Sequence, residues 1–149
     1  MVENYVSNKK IFFNYEIIEK YGAGIELLGF EVSAVKKSRA SLEGSFVTIR
    51  GKEAFLLGAS ITPLQLKNTP ESYDSLRNRK LLLTKKEIEE LATIENKKGL
   101  TIVPISIYNK NGKIKVEIGV ARGKKKYDKR ETLKKRESER DIQRTLKDL

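Results

Sequence analysis

The sequence predicts a mainly β fold: a small antiparallel barrel of OB-like topology with two or three short helices and a basic C-terminal tail. Three observations predict it. Ile114, Val116, Ile118 and Val120 alternate with Lys113, Lys115, Glu117 and Gly119, the period of a half-buried strand with one wet, basic face. That strand, Lys113 to Ala121, answers Leu100 to Tyr108 across Asn111-Gly112, a dipeptide that favours a two-residue hairpin turn. Phe46 to Arg50 and Glu53 to Leu57 repeat the arrangement around Gly51-Lys52. Five or six short strands with few helices is the inventory of a small closed or partly open barrel.

The other elements follow in order. Tyr15 to Tyr21 is apolar-rich and stops at Gly22-Ala23-Gly24, after which Ile25, Leu27 and Leu28 run to Gly29. This reads as a first strand pair joined by a glycine turn with positive φ and close backbone packing. Glu31 to Arg39 spaces Val32 and Val35 at helical distance and ends in Lys36, Lys37 and Arg39, cations that suit a helix C-terminus. Residues 59–78 hold Pro63, Asn68, Pro70 and Asn78 and read as a long loop. Lys80-Leu81-Leu82-Leu83 is a short apolar run. Thr84-Lys85-Lys86-Glu87 fits a capping box. It opens a helix with Ile88 and Leu91 as its buried stripe, and the helix stops near Lys97-Lys98-Gly99.

Charge divides the chain. Of 149 residues, 31 are basic and 20 acidic, a net of +11. Residues 123–149 hold 11 of the basic and 6 of the acidic ones, and apolar residues thin out after Val120. We place a barrel domain at 1–122 and a basic tail at 123–149. Residues 132–149 contain no Pro or Gly, and Ile142, Leu146 and Leu149 form one narrow apolar stripe. Such a segment buries too little to fold alone and is expected to be disordered when free and helical on a polyanionic partner.

The composition excludes several chemistries. With no Cys and no His, there is no disulfide, thiolate nucleophile, Ser–His triad or thiolate- or imidazole-bound metal. No cofactor and no metal are expected. Gly22-Ala23-Gly24 with Gly29 lacks the spacing of a dinucleotide loop, and no Ser or Thr follows Gly123-Lys124 as a phosphate-binding loop requires. Glu87 and Glu90 share a helix face beside Lys85 and Lys86, the pattern of a solvated surface. Glu16 and Glu19 are the remaining carboxylate pair, the basis of a metal-dependent nuclease alternative. No apolar N-terminal run and no membrane-length segment is present, so the expected location is the cytoplasm and no membrane partner is expected. Nothing demands a dimer, and a monomer is expected.

A net of +11 points instead to a polyanion, most often nucleic acid. Lys9-Lys10-Ile11-Phe12-Phe13-Asn14-Tyr15 mixes cations with rings that stack on unpaired bases, although Phe12 or Phe13 equally suits a barrel plug. Arg77-Asn78-Arg79-Lys80 is a compact cationic cluster suited to phosphates.

These residues, in this order, resemble the small protein B, or SsrA-binding, family, over about residues 8–136. The likeness rests on Asn8-Lys9-Lys10 with Tyr15, Ala23-Gly24-Ile25, Leu28-Gly29-Phe30-Glu31-Val32 and Ile61-Thr62-Pro63. It continues through Arg77 to Leu83, Gly119 to Lys125, and Tyr127-Asp128-Lys129-Arg130. The resemblance implies an OB-like barrel and a binding role without catalysis. It also implies three partners: the tRNA-like domain of transfer-messenger RNA, the small-subunit RNA of the ribosome at its decoding centre and messenger channel, and elongation factor Tu through the RNA. By position it implies RNA binding at Asn8 and Leu82, with Arg79 and Lys80 in the same cationic loop; the residues themselves add Lys9, Lys10, Tyr15 and Arg77 as RNA-binding candidates, and Gly22 and Gly24 as glycines that let an RNA backbone approach closely. The resemblance places Gly123 at the tail's root, Tyr127 as a ring that stacks on ribosomal RNA, and Lys124, Lys125, Lys129, Arg130, Lys134 and Arg136 along phosphates. Two segments depart from the family: Gly22 stands where a Glu is usual, and Ile11-Phe12-Phe13 replaces a commonly basic, His-containing stretch. The expected function is delivery of transfer-messenger RNA to stalled ribosomes; a general RNA-binding or ribosome-associated protein with a basic extension is the alternative.

Overall fold

A computed structural model describes residues 2–65, 67 and 69–124. The expectations for Lys125, Tyr127, Lys129, Arg130, Lys134 and Arg136, and for the stripe of Ile142, Leu146 and Leu149, lie outside the described residues.

Nine strands and three helices are described: β1 (Val2–Ser7), α1 (Ile11–Asn14), β2 (Tyr15–Ile25), α2 (Gly29–Lys36), β3 (Ala40–Ser41), β4 (Phe46–Arg50), β5 (Glu53–Leu57), β6 (Ser60–Ile61), β7 (Arg79–Leu82), α3 (Lys85–Glu95), β8 (Leu100–Lys110) and β9 (Lys113–Gly123). Strands β8, β4, β5, β7, β2 and β9 pair in that order, and β9 pairs back onto β8, which closes an antiparallel barrel. The long sides are β8–β9 and β2–β9; the seams are the single pair Val47↔Ile102 and the two pairs Gly24↔Leu82 and Ile25↔Leu81. β1 extends the sheet along the far half of β8, and β3 pairs with β6 as a small separate sheet.

The barrel interior is filled by Leu56, Leu81, Ile102, Ile107, Val116, Ile118 and Val120, with Leu91 of α3 packed into the same cluster. Thr84 caps α3 as its sequence predicts: its hydroxyl accepts from Glu87 N–H, and the Glu87 carboxylate accepts from Thr84 N–H. Of the predicted stripe only Leu91 is fully buried; Ile88 is half-buried. Further along the same helix, Glu95 accepts from Ile49 N–H at 2.8 Å and Glu90 from the Tyr21 hydroxyl at 3.0 Å, which ties α3 to β4 and β2. Both predicted hairpins are present, and Asn111 and Gly112 take φ of 52° and 79°, the left-handed pair a two-residue turn needs.

Four expectations are corrected. Gly22-Ala23-Gly24 is no turn: β2 runs through it unbroken, because β9 offers a continuous partner from Tyr15↔Gly123 to Gly24↔Lys115, and neither glycine has positive φ. The residues after Ile25 are not a second strand; α2 begins at Gly29, two residues before the predicted start, and ends before Ser38, whose φ is 59°. The wet face of β9 ends at Glu117, because Ile17 and Ile105 close over Gly119. A second, outer cluster of Ile11, Val103, Ile105 and Ala121 forms there, with Tyr15 and Ile17 against it. It is therefore Ile11 of the basic–aromatic segment that is buried, while the Phe12 ring is 45% exposed. β1 was not anticipated at all: only Val6 among its described side chains is buried, which leaves no period to read.

Candidate nucleic-acid interface

Directly opposed residues of neighbouring antiparallel strands project from the same face. The registers Leu82↔Gly24, Gly24↔Lys115 and Lys115↔Tyr108 therefore line up one row across four strands on the barrel's outer surface. Lys80 and Gly22 belong to the same face, two residues from Leu82 and Gly24. Lys52 and the start of α3, Thr84 and Glu87, wall this row into an open groove of about 610 Å³. Leu82 stands 50% exposed within it. The surface is shallow, cationic and apolar in places, which suits phosphates and the flat faces of bases. It gathers four of the predicted residues, Gly22, Gly24, Lys80 and Leu82. It adds Lys52, Lys115 and Tyr108, which the sequence reading did not single out. Lys115 was legible as part of the basic face of β9; that it shares a row with Gly24 and Leu82 was not, since that depends on register.

The cationic run before β7 splits in two. Lys80 is half-buried and meets Glu53 at 3.3 Å. The sequence reading set Arg77 and Arg79 in a cationic cluster for phosphates; here both turn to Glu31 of α2. Arg79 is 0% exposed. Its Nε and Nη2 donate to Glu31 Oε2 at 3.0 and 2.7 Å, and its remaining donors reach the carbonyls of Ala59, Arg77 and Ser75. Arg77, partly exposed, also donates to both Glu31 oxygens. Leu28 N–H and the Tyr73 hydroxyl complete the shell at 2.8 Å each. Burial pushes the Glu31 carboxyl up, but the hydrogen bonds from Arg77, Leu28 N–H, Arg79 and Tyr73 outweigh it and hold the group down at about 2. A carboxylate so paired clamps α2, the 59–78 loop and β7 together and fixes where Lys80 and Leu82 point.

The N-terminal residues form a separate site. Asn8 is buried, and its amide donates to Pro104 O at 3.0 Å and Leu42 O at 3.4 Å, so its donors serve the fold. Lys9 and Lys10 are exposed, and Lys10 meets Glu43 at 3.3 Å. Phe12 carries Lys20 Nζ 5.9 Å from its ring centre. Tyr15 is half-buried and pairs with Gly123, and Lys124 N–H donates to Asn14 O at 2.9 Å, so the root of the tail is stitched to this corner. The nine-residue advance along β2 from Tyr15 to Gly24 separates the tail's root from the outer row by roughly 30 Å. Glu16 and Glu19 are both exposed on β2, and among the described residues no cluster of three or more acidic side chains is placed to hold a metal. Nor is any helix among them long and apolar enough to cross a membrane.

Comparison with known proteins gives a consistent result. The family model described as SmpB protein matches residues 5–148. The SsrA-binding protein of Nitrosomonas europaea is 49% identical over 142 residues, covering 95% of this chain and 94% of the relative. That of Thermosynechococcus vestitus is 44% identical over 140 residues, covering 94% and 92%. A solved chain from work on tmRNA-SmpB and the center of the bacterial ribosome superposes with a TM-score of 0.67 at 40% identity, covering 80% of this chain and 84% of that one.

Proposed function

The chain belongs to the SmpB protein family, and from that premise we propose that it is an RNA-binding adaptor. It binds the tRNA-like domain of transfer-messenger RNA and delivers it to stalled ribosomes, a cytoplasmic task of recognition without bond making or breaking. The observation that carries the reading in this molecule is its two-ended build. The row of Gly24, Lys80, Leu82 and Lys115 lies at one end of β2 and β9, and the tail leaves from the other. One end can hold folded RNA while the other reaches a second RNA.

In this assignment Gly24, Lys80 and Leu82 meet the RNA directly, and Gly22 shapes the same surface. Arg77 and Arg79 act through Glu31 by positioning β7. Asn8 holds β1 against β8 while Lys9, Lys10 and the Phe12–Tyr15 corner flank the tail's root. Gly123 and Lys124 fix the exit, Tyr127 stacks on ribosomal RNA, and Lys125, Lys129, Arg130, Lys134 and Arg136 follow its phosphates.

A gel-shift titration with transfer-messenger RNA against excess bulk tRNA at physiological salt tests this. Binding that survives the competitor is expected; binding that the competitor abolishes would make the protein a general RNA binder. Removing residues 125–149, which spares β9, should leave RNA binding intact and abolish tagging on stalled ribosomes. Loss of both would place the tail within the RNA surface.

A further inference from the structure

Tyr108 is absent from the RNA-binding residues the sequence pointed to, yet its side chain ends beside Gly22, which lines the groove. It starts on β8, opposite Lys115 of β9, and reaches across β9 toward β2. Its hydroxyl oxygen lies 2.9 Å from the position a Cβ on Gly22 would occupy. The phenol therefore lies in the notch that the missing side chain of Gly22 leaves. Among the described residues no hydrogen bond to that hydroxyl is formed, so it arrives at the surface with its proton uncommitted. Burial and the nearby Glu117 carboxylate raise its pKa, which keeps it a donor at neutral pH. Glu117 would repel phosphate, but Lys20 meets it at 3.5 Å. Lys115 beside the ring supplies the attracting charge.

We propose that Tyr108 is an RNA-recognition residue whose hydroxyl donates to an oxygen of the bound RNA, and that in this chain Gly22, standing where a Glu is usual, leaves the phenol its place. This rests on the RNA-binding reading above and adds to it one donor and the reason for one glycine. The same geometry makes the pair separable from folding. The atom that a new Cβ would strike is the far tip of a flexible side chain, so Gly22→Ala moves the hydroxyl and leaves the barrel as it is.

The test is a double-mutant cycle on the full chain, read by binding to a transcript of the tRNA-like domain with melting temperatures measured alongside. Tyr108→Phe removes the donor and keeps the ring; Gly22→Ala displaces the donor. Each should weaken binding about five- to tenfold, the worth of one hydrogen bond, without lowering the melting temperature. The double variant should bind no worse than the weaker single, because both changes remove the same contact. Wild-type binding by Tyr108→Phe would overturn the assignment. So would losses that multiply in the double variant, which would mean that the glycine serves a direct approach of RNA to the backbone. If the unmodified chain fails to hold the tRNA-like RNA against bulk tRNA, the delivery reading falls. The same cycle on the tRNA it does bind then decides Tyr108 by the same criterion. A chain that binds neither RNA ends both.

Discussion

Glu31 shows how one residue sets the position of others. Its side chain is fully buried, and two guanidiniums, a phenol and a backbone N–H point at it. Removing one partner of such a cluster leaves the others buried without compensation, which costs about 3–5 kcal/mol. Glu31→Gln should therefore lower stability in denaturant titrations by that order. The pH dependence has a definite sign. The folded pKa is about 2, below the ordinary value of 4.5, so the stabilisation is complete above pH 4.5 and drains away as pH falls toward 2. Wild-type stability should fall steeply across that window, and the Gln variant should lack this part of the slope. An unchanged slope would show that other carboxylates govern acid unfolding. The sequence reading put Arg79 among cations that meet phosphates because its partner lies 48 residues away, and nothing local marks an arginine as buried. Thr84 with Glu87 and Asn111 with Gly112 were legible for the opposite reason: each acts on a partner within three residues.

At the scale of elements, β2 carries the longest inference and the largest correction. Its glycines look like a break until β9 is laid beside them, since a ladder of backbone hydrogen bonds tolerates glycine wherever another side chain occupies the vacant face. Leu82 does so at Gly24, where a Cβ would come within 3.1 Å of the leucine Cβ, and Tyr108 does so at Gly22. Gly119 on β9 is the matching case on the covered side. A Cβ there would meet Ile105 Cδ1 at 3.0 Å and Ile17 Cγ2 at 3.1 Å. Both isoleucines belong to the outer cluster that seats α1 and the start of β2. Gly119→Val should overpack this layer at a cost of about 2 kcal/mol, seen as a fall in melting temperature of roughly 4–8 °C. A variant as stable as wild type would mean that this layer yields without cost. Alternation along β9 is easy to read in one dimension. That its polar phase becomes buried beyond Glu117 depends on α1, whose four residues carry no helical period to read.

At the scale of the whole molecule, charge and geometry can be separated by salt. Residues 125–149 hold 10 of the 31 basic residues and 6 of the 20 acidic ones, so most of the net charge stays with the barrel when they are removed. The exposed ion pairs of the barrel, Lys10–Glu43, Lys20–Glu117 and Lys80–Glu53, are solvent-screened and contribute little to stability. Their lysines can thus turn to phosphates at small cost. With Lys52, Lys80 and Lys115 around the groove, at least three phosphates should be neutralised. The logarithm of the binding constant for the tRNA-like RNA should then fall against the logarithm of salt with a slope steeper than about −2. If the two ends of the barrel serve two RNAs, a chain ending at Lys124 should keep that slope, because the lysines around the groove set it. Its association with ribosomes should weaken and lose salt dependence in step with the cations removed. Should the truncated chain instead show a flatter slope for the tRNA-like RNA, tail and groove would be holding one RNA between them, and the roughly 30 Å along β2 would be the length of a single continuous site.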